Sequence, residues 1–336
     1  MGVTFISKKG GVHTPWVRSL SCDKLSMTLQ ISDPGDREAI LSRLEKDHDD
    51  GYSFWGPKGR YKAGVRYPMN PDYLVFDDHS DDHNLVIQCD PYDPAMNFFR
   101  MEVNPNKSPM KTVQGLLDKL LPGGYSRLVE YGRITRFDAT VDVEQAKIDE
   151  LFFYYPQMTK TAHFLKSGFV ETMYIGGQDS PKQFCIYDKA VEIHRKNQQK
   201  TGGLVEAIPK KPITRIEARL QPKGGVTFKG LLEFPNPFEK LAVSALKVLS
   251  TKYEDDYVWK LFIDSCRFRT MQAALLLLPK NVRVKYHGRI KEAGFVGWWK
   301  PDKVWEQLPQ VVKRITDPGE KWGYVPNLMK NKKTSA

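Results

Sequence analysis

Long apolar runs are missing from this chain of 336 residues. The longest, 271–279, is far shorter than the roughly 20 residues that span a bilayer, so we expect no membrane partner. The N-terminus has no basic region followed by an apolar core, which gives no sign of secretion and favours a cytoplasmic protein. Cysteine is scarce, and Cys22, Cys89, Cys185 and Cys266 form no Cys-x-x-Cys pair. This spacing excludes a zinc ribbon and a thioredoxin-type redox motif.

Two further shortages bear on function. No Gly-x-x-x-x-Gly-Lys-Ser/Thr motif is present, which argues against a built-in ATPase or helicase motor. Acidic residues are outnumbered, with 40 Asp and Glu against 51 Lys and Arg, for a net charge of +11. Residues 280–336 alone hold 13 basic and 5 acidic residues. The excess predicts a polyanionic partner, nucleic acid or an anionic membrane surface, although surface charge for solubility is an alternative.

The order of strand-like and helix-like segments repeats along the chain. Phe99-Arg100-Met101-Glu102 is similar to Thr214-Arg215-Ile216-Glu217, and each follows a strand–helix–strands segment. We therefore predict an α+β fold with two pseudo-symmetric antiparallel sheets, helices on their outer faces, and a helical, basic C-terminal region. Strand-like patterns predict strands at 84–89, 169–175 and 213–220, among others. Apolar spacing predicts helices that include 36–46, 144–155, 189–199 and 238–249. The predicted domains are an N-terminal arm (1–23), a first α+β half (24–125), a second half with the catalytic motifs (126–234) and a DNA-recognition region (235–336).

Three predicted strands carry polar side chains at every second residue. Because side chains of a strand alternate between faces, these polar residues share one face of each strand. They are Arg136, Asp138, Thr140 and Asp142 in the first strand, Arg215, Glu217 and Arg219 in the second, and Tyr187 and Lys189 in the third. Asp188 is a candidate cap for the following helix, which places Tyr187 at a strand-to-helix junction. If the strands are neighbours, one sheet face gathers carboxylates, cations and a single tyrosine.

That set of side chains suits phosphodiester chemistry. Carboxylates are hard oxygen ligands for Mg²⁺ or Mn²⁺, and arginines match phosphate oxygens. A metal beside a tyrosine can position a phosphodiester for attack by the phenolate. Free tyrosine, with a pKa near 10, is only about 0.1% ionised at pH 7, so the metal, Lys189 or a carboxylate must help. A solvated antiparallel face with cross-strand ion pairs is the alternative.

The order of the three motifs resembles the rolling-circle replication initiators of plasmids and filamentous phages, the Rep_trans type that includes the phage replication initiation factors. The resemblance covers 130–222, about a quarter of the chain. The motifs are RFDATVD at 136–142, ETMYIGGQDSPKQFCIYDKAVE at 171–192 and TRIEARL at 214–220. The residues that match the family pattern are Arg136, Asp138 and Asp142; Tyr174, Gly176 and Gly177; Tyr187, Asp188 and Lys189; and Arg215, Glu217 and Arg219.

The resemblance implies an enzyme that nicks one strand of the replication origin and stays joined to the 5′ phosphate through a tyrosine. It leaves a 3′ hydroxyl as primer, and the phosphotyrosine bond conserves the energy needed for rejoining. The family pattern makes Tyr187 the nucleophile, with Tyr174 as its rival, and Lys189 a catalytic residue that lowers the phenol pKa. It makes Asp138, Asp142 and Glu217 ligands of Mg²⁺ or Mn²⁺, and Arg136, Arg215 and Arg219 phosphate-binding residues. The His-hydrophobic-His metal pair of many other rolling-circle nickases does not occur here.

Two other functions stay open from the residues. One is a non-catalytic DNA-binding protein of replication or regulation, and the other is a metal-dependent nuclease that uses water. The partners expected for an initiator are duplex and single-stranded origin DNA, a host helicase and polymerase, and a second copy of the chain in a homodimer.

Overall fold

The computed structural model describes residues 5–6, 12–13, 15–50, 53–55, 66–74, 84–156, 161–166, 169–200, 211–246, 249, 253, 255–268, 271–293 and 295–319. The chain forms two compact units, each assembled from three segments. Unit 1 holds residues 1–21, 138–221 and 235–308, and unit 2 holds 22–137, 222–234 and 309–336. The four predicted domain ranges stay a prediction, and the predicted arm lies partly outside the described residues.

The described elements alternate between short strands and helices. The strands are β1 (Phe5–Ile6), β2 (Val12–His13), β3 (Trp16–Val17), β4 (Ser21–Leu29), β5 (Ser53–Trp55), β6 (Pro71–Leu74), β7 (Asn84–Cys89), β8 (Phe99–Val103), β9 (Arg133–Glu144), β10 (Leu151–Tyr154), β11 (Thr161–Lys166), β12 (Phe169–Ile175), β13 (Lys182–Asp188), β14 (Ile213–Leu220) and β15 (Ala242–Ala245). The helices are α1 (Pro34–Asp49), α2 (Met110–Leu120), α3 (Gly124–Tyr131), α4 (Lys189–Lys200), α5 (Phe228–Leu232), α6 (Tyr257–Phe268), α7 (Met271–Leu276), α8 (Lys280–Ala293), α9 (Pro301–Trp305) and α10 (Leu308–Thr316).

An antiparallel sheet forms the centre of unit 1. Its strand order is β11-β12-β13-β14-β9, and β3 pairs with the end of β9. Alternation gives this sheet a predominantly apolar face, on which Ala139, Val141, Ile216 and Ala218 are completely buried. The residues between them project from the opposite face, which carries the polar side chains.

Unit 2 is built around the strand order β4-β8-β7-β6-β5, again antiparallel. Its core includes the buried Met27, Leu85, Phe99 and Met101. Helix α10 belongs to this core, because the backbone carbonyl of Ile315 accepts a hydrogen bond of 2.5 Å from the buried hydroxyl of Tyr125.

The two units use their strands in the same order. In each unit the first long strand, β4 or β9, neighbours the last, β8 or β14, and the earlier strands follow outward in reverse sequence order. The described helices and antiparallel strands confirm the predicted α+β fold, and the shared strand order supports the predicted repeat.

A helical subdomain follows within unit 1. Helices α6, α7 and α8 pack around one apolar cluster with Phe152 of β10. Trp259 at its centre is fully buried, and its indole nitrogen donates to the carbonyl of Leu249 over 2.7 Å. The ring centres of Phe262 and Tyr286 lie 5.3 and 4.9 Å from that of Trp259, and 5.1 Å from each other.

Two helix predictions were wrong. In the range 144–155 the chain forms a single 3₁₀ turn at Ile148–Glu150 and then β10, and in the range 238–249 it forms β15. These two strands pair with each other, Phe152 opposite Ser244 and Phe153 opposite Val243. Aromatic and β-branched residues favour a pleated surface when a partner strand is present, and local spacing of apolar residues cannot reveal a partner about 90 residues away.

Within the described ranges, none of the helices has the length and apolar character that a bilayer crossing requires.

Candidate active site

The candidate site lies on the polar face of the unit 1 sheet, where β9, β14 and β13 are consecutive neighbours. Asp138 and Thr140 project from β9 on the side opposite Ala139 and Val141, and they are 3% and 0% exposed. Arg215 and Glu217 on β14 are equally enclosed, at 7% and 6%. The sequence predicted this face, but its charged groups are buried rather than solvated, so each needs a partner.

The strand register sets Tyr187 beside Glu217. Tyr187 lies directly opposite Arg215, while Cys185 lies opposite Glu217. A tyrosine is long enough to reach the diagonal neighbour two residues along the next strand. Its hydroxyl donates a hydrogen bond of 2.7 Å to Oε1 of Glu217. The predicted nucleophile and a carboxylate are therefore in direct contact.

The other oxygen of Glu217 is held by Arg219 on the same strand. Nη2 and Nε of Arg219 donate to Oε2 of Glu217 over 3.1 and 3.3 Å. Burial acts to lower the pKa of the Arg219 guanidinium, but the nearby Cys185, Glu217 and Asp138 outweigh it and raise that pKa. Arg219 is thus a permanent cation next to the Tyr187–Glu217 pair.

Tyr187 is held in its protonated form. Burial raises the pKa of its phenol well above the ordinary value of 10, and the negative charge of Glu217 raises it further, against a lowering contribution from Arg215. In this arrangement the phenol is a hydrogen-bond donor at neutral pH, and attack by its oxygen requires a group that removes the proton. Oε1 of Glu217 already accepts that hydrogen bond.

Asp142 and Arg215 form a second pair across β9 and β14. Nε and Nη2 of Arg215 donate to the two carboxylate oxygens of Asp142 over 2.6 and 2.8 Å. The side chains are 13% and 8% exposed, which makes this a buried, bidentate ion pair. Such a pair fixes the spacing of two strands and the orientation of Arg215, which is opposite Tyr187.

Asp138 is close enough to Cys185 and Arg219 to raise the pKa of each. Together with burial and Glu217, it raises the pKa of the Cys185 thiol to about 12, and it contributes to the raised pKa of Arg219. Asp138 and Glu217 therefore face one region of the sheet. No group of three Asp, Glu, His or Cys side chains with metal-binding geometry occurs among the residues that the structure describes.

Tyr187 is located where β13 passes into α4. Asp188 ends the strand, and its Oδ1 accepts a hydrogen bond of 3.0 Å from the backbone nitrogen of Val191, so it caps the helix as the sequence predicted. Lys189, the first residue of the helix, has its ammonium 5.8 Å from the centre of the Tyr187 ring and forms an ion pair with Glu192. The role of Lys189 in lowering the phenol pKa stays a prediction.

Two further side chains lie beside this cluster: Cys185, which was not among the predicted site residues, and Tyr174, which was predicted as the rival nucleophile. Tyr174, Cys185 and Glu217 are opposite one another on β12, β13 and β14. The guanidinium of Arg219 lies 5.4 Å from the centre of the Tyr174 ring. Cys185 has the same parity as Tyr187, and this signal would have placed it on the polar face. Arg136 is on β9, two residues before Asp138, and is half-buried.

Unit 2 contains a strand arrangement like that of the site but without its chemistry. Gln88 of β7 lies opposite Arg100 of β8, as Tyr187 lies opposite Arg215. Glu102 takes the place of Glu217 and is held by Lys24, Arg100 and Ser26. A glutamine cannot act as a nucleophile in this manner, so the repeated architecture carries one candidate site.

Comparisons with known proteins match the chain to solved structures. No family model matches the chain, and no curated protein matches it. A solved structure described as "Structure of Rolling Circle Replication Initiator Protein from Geobacillus stearothermophilus" is similar at 15% sequence identity, over 76% of this chain and 98% of that one, with a TM-score of 0.35.

Proposed function

We propose that this chain is an initiator of rolling-circle DNA replication that nicks and rejoins one strand of origin DNA through a 5′-phosphotyrosine. The observation that carries the proposal is the hydrogen bond of 2.7 Å from the hydroxyl of Tyr187 to Glu217, with Arg219 on the other carboxylate oxygen. A nucleophile, a base and a cation for phosphate in direct contact are what transfer of a phosphodiester requires.

In the proposed reaction, Oη of Tyr187 attacks the phosphorus while Oε1 of Glu217 takes the phenolic proton. The bond from phosphorus to the 3′ oxygen breaks as the bond to Oη forms, and the 3′ oxygen leaves as a hydroxyl after gaining a proton. One phosphodiester replaces another, so reversal by a 3′ hydroxyl needs no external energy source. The raised phenol pKa makes the reaction dependent on Glu217, because the free phenolate is rare at neutral pH.

The cations supply electrostatic stabilisation. Arg219, and Arg215 opposite Tyr187, would contact the phosphate and stabilise the negative charge that develops on its oxygens. Arg136, further along β9, would hold a neighbouring phosphate of the bound strand. Lys189 would act near the phenol from the start of α4.

Asp138 and Glu217 fit a hard divalent cation in their chemistry, since both are buried carboxylates that face one region of the sheet. Mg²⁺ commonly uses only one or two protein carboxylates and fills its other positions with water and phosphate. These two residues would hold Mg²⁺ or Mn²⁺, which supplies Lewis-acid polarisation of the phosphate when bound. Asp142, predicted as a third ligand, is engaged by Arg215.

One observation favours a second candidate, a metal-dependent nuclease that uses water. The phenol of Tyr187 is protonated and hydrogen-bonded, as in a purely structural role. The two candidates differ in their products, because only the transesterase leaves a protein–DNA adduct. The proposed partners of the initiator are origin DNA, a host helicase and polymerase, and a second copy of the chain.

The test uses a supercoiled plasmid that carries the DNA flanking the gene for this chain, with Mg²⁺ or Mn²⁺, followed by a denaturing gel and peptide mapping. Tyr187→Phe should abolish both the adduct and the nicked circle, whereas Tyr174→Phe, the matched control on β12, should retain both. Nicking by Tyr187→Phe without an adduct would identify water as the nucleophile. An adduct that persists in Tyr187→Phe and disappears in Tyr174→Phe would transfer the role to Tyr174.

A further inference from the structure

We propose that α7 and α8 form a helix-turn-helix module whose second helix, α8, lies in the major groove of duplex DNA. The inference deepens the proposed function, since the duplex would be the one at which nicking starts, but it rests on a different part of the chain. Helix α7 ends at Leu276 and α8 begins at Lys280, so three residues connect them. A short turn of this kind between two helices is typical of helix-turn-helix modules.

Helix α8 packs against α6 and α7 through one of its sides. Tyr286 and Ile290 are buried in the apolar cluster with α6 and α7. Arg289 donates to Oδ2 of Asp256 over 2.6 Å, and its guanidinium lies 4.3 Å from the centre of the Tyr253 ring. Asp256 in turn caps α6 by accepting from the backbone nitrogen of Trp259 over 2.9 Å. The helix is therefore held in a fixed orientation on the other two.

The opposite side of α8 is one continuous exposed face. With about 3.6 residues per turn, the exposed positions fall within less than half of the helix circumference. They are Lys280, Asn281, Val284, Lys285, Gly288 and Lys291, together with Glu292. Val284 is 68% exposed, and the side chain of Lys285 is 58% exposed. Nζ of Lys285 lies 3.8 Å from Oδ2 of Asp256.

The chemistry of this face matches a DNA groove. Lys280 and Lys291 are at its two ends, about 16 Å apart along the axis at 1.5 Å per residue, and a major groove is about 12 Å wide. The lysines can thus reach the phosphates on either side of the groove. Asn281, Val284 and Lys285 lie between them in the first half of the helix, where a recognition helix contacts base edges. Asparagine pairs with adenine, lysine with guanine, and an apolar side chain contacts the thymine methyl.

Gly288 gives a second, independent reason to propose that DNA contacts the exposed face of α8. A Cβ at this position would meet nothing within 4 Å, so the packing of the protein does not require glycine there. Glycine in the middle of an exposed helix disfavours the helix relative to other residues. A glycine at the centre of the exposed face is useful when another molecule approaches the backbone closely.

The test compares Gly288 of α8 with Gly115 of α2, of which only Gly288 is proposed to contact DNA. Gly115 is exposed in the middle of α2, and a Cβ there would likewise meet nothing within 4 Å. The full chain first selects preferred sequences from a random pool of 25-bp duplexes, and the affinity for a selected duplex is then measured by fluorescence anisotropy. Gly288→Leu should bind at least tenfold more weakly with an unchanged or higher melting temperature, while Gly115→Leu should bind as the unsubstituted chain does.

Single substitutions separate reading of bases from contact with phosphate. Asn281→Ala should lower the ratio of affinities for the selected and a scrambled duplex. Lys291→Ala should weaken binding to both equally and reduce the slope of log K against log salt by about 0.9. Wild-type affinity in Gly288→Leu, or a pool that yields no preferred sequence, would overturn the proposal.

A final arm separates this inference from the proposed function. Tyr187→Phe should bind the selected duplex normally, because Tyr187 is not on α8. Adduct formation on single-stranded DNA together with full duplex binding by Gly288→Leu would refute the recognition helix and leave the nicking proposal intact. Loss of duplex binding in Gly288→Leu with no adduct from the unsubstituted chain would refute the nicking proposal alone.

Discussion

Tyr187 shows how far a single residue can be understood from its neighbours in a strand. The sequence predicted its face, its position at a strand-to-helix junction and the cap formed by Asp188. It did not predict the direct contact with Glu217, because that contact depends on the register between β13 and β14. Parity identifies which side chains share a face, whereas register decides which of them touch.

The raised pKa of Tyr187 makes stability sensitive to alkaline pH. The folded state keeps this phenol protonated above pH 10, while the unfolded chain releases the proton, so stability is fully present below pH 10 and falls as the pH rises beyond it. Tyr187→Phe should reduce that loss of stability by about 1 kcal/mol between pH 10 and 11. Urea unfolding at pH 8, 10, 10.5 and 11 measures it, and equal slopes in both proteins would contradict the buried, neutral phenol.

Asp142 distinguishes a structural ion pair from a metal ligand. Removing one member of a buried ion pair leaves an uncompensated charge, so Asp142→Asn should destabilise the chain by about 3–5 kcal/mol, with or without EDTA. A ligand role instead predicts weaker Mg²⁺ or Mn²⁺ binding with little loss of stability. Urea unfolding and calorimetric titration of metal separate the two, and Asp149→Asn is a control on an acidic residue of the 3₁₀ turn.

Whole elements were predicted best where the pattern is local. The strands 84–89, 169–175 and 213–220 were predicted with the bounds that the structure gives. Helices α4 and α1 were predicted to within a few residues of their ends. The failures, β10 and β15, are strands whose only described sheet partner is each other and is far along the chain. Short apolar runs such as these are equally compatible with a buried helix.

The cap of α4 connects an element to the candidate site. Asp188→Ala removes the hydrogen bond to the nitrogen of Val191, which should destabilise the helix start by about 1 kcal/mol and loosen the adjacent Tyr187. Asp188→Asn keeps an acceptor of similar size and should restore both stability and adduct formation. If the alanine and asparagine variants lose adduct formation equally, the charge of Asp188 rather than its cap is what the site needs.

At the scale of the whole molecule, the sequence predicted a repeat of strands and helices, and its four domain ranges stay a prediction. The four predicted ranges are contiguous, whereas each unit draws on three separated segments. The similarity of 99–102 and 214–217 reveals related strands. It carries no information on where the later helices pack. Leu308, Val311 and Ile315 are buried, but apolar side chains of this kind are compatible with any apolar core.

The contribution of α10 to unit 2 can be measured by truncation. A chain that ends at Leu308 loses the buried Val311, Val312 and Ile315, each worth about 1.5–3 kcal/mol of apolar burial, and leaves the Tyr125 hydroxyl without its acceptor. Calorimetry should show loss of the unfolding transition of unit 2. A chain that ends at Gly319 keeps α10 and should retain the transition of unit 2. If the chains that end at Leu308 and Gly319 melt at the same temperature, the role of α10 is contradicted.

The three-segment construction of each unit has a consequence during synthesis on the ribosome. The chain passes from one unit to the other five times, at 21/22, 137/138, 221/222, 234/235 and 308/309. Unit 1 has its last segment only when translation has reached residue 308, and unit 2 only later, so each unit is completed by helices that are made after its strands. Tyr187 thus emerges well before its unit is complete, and the proposed nicking activity should arise only after residue 308 has left the ribosome.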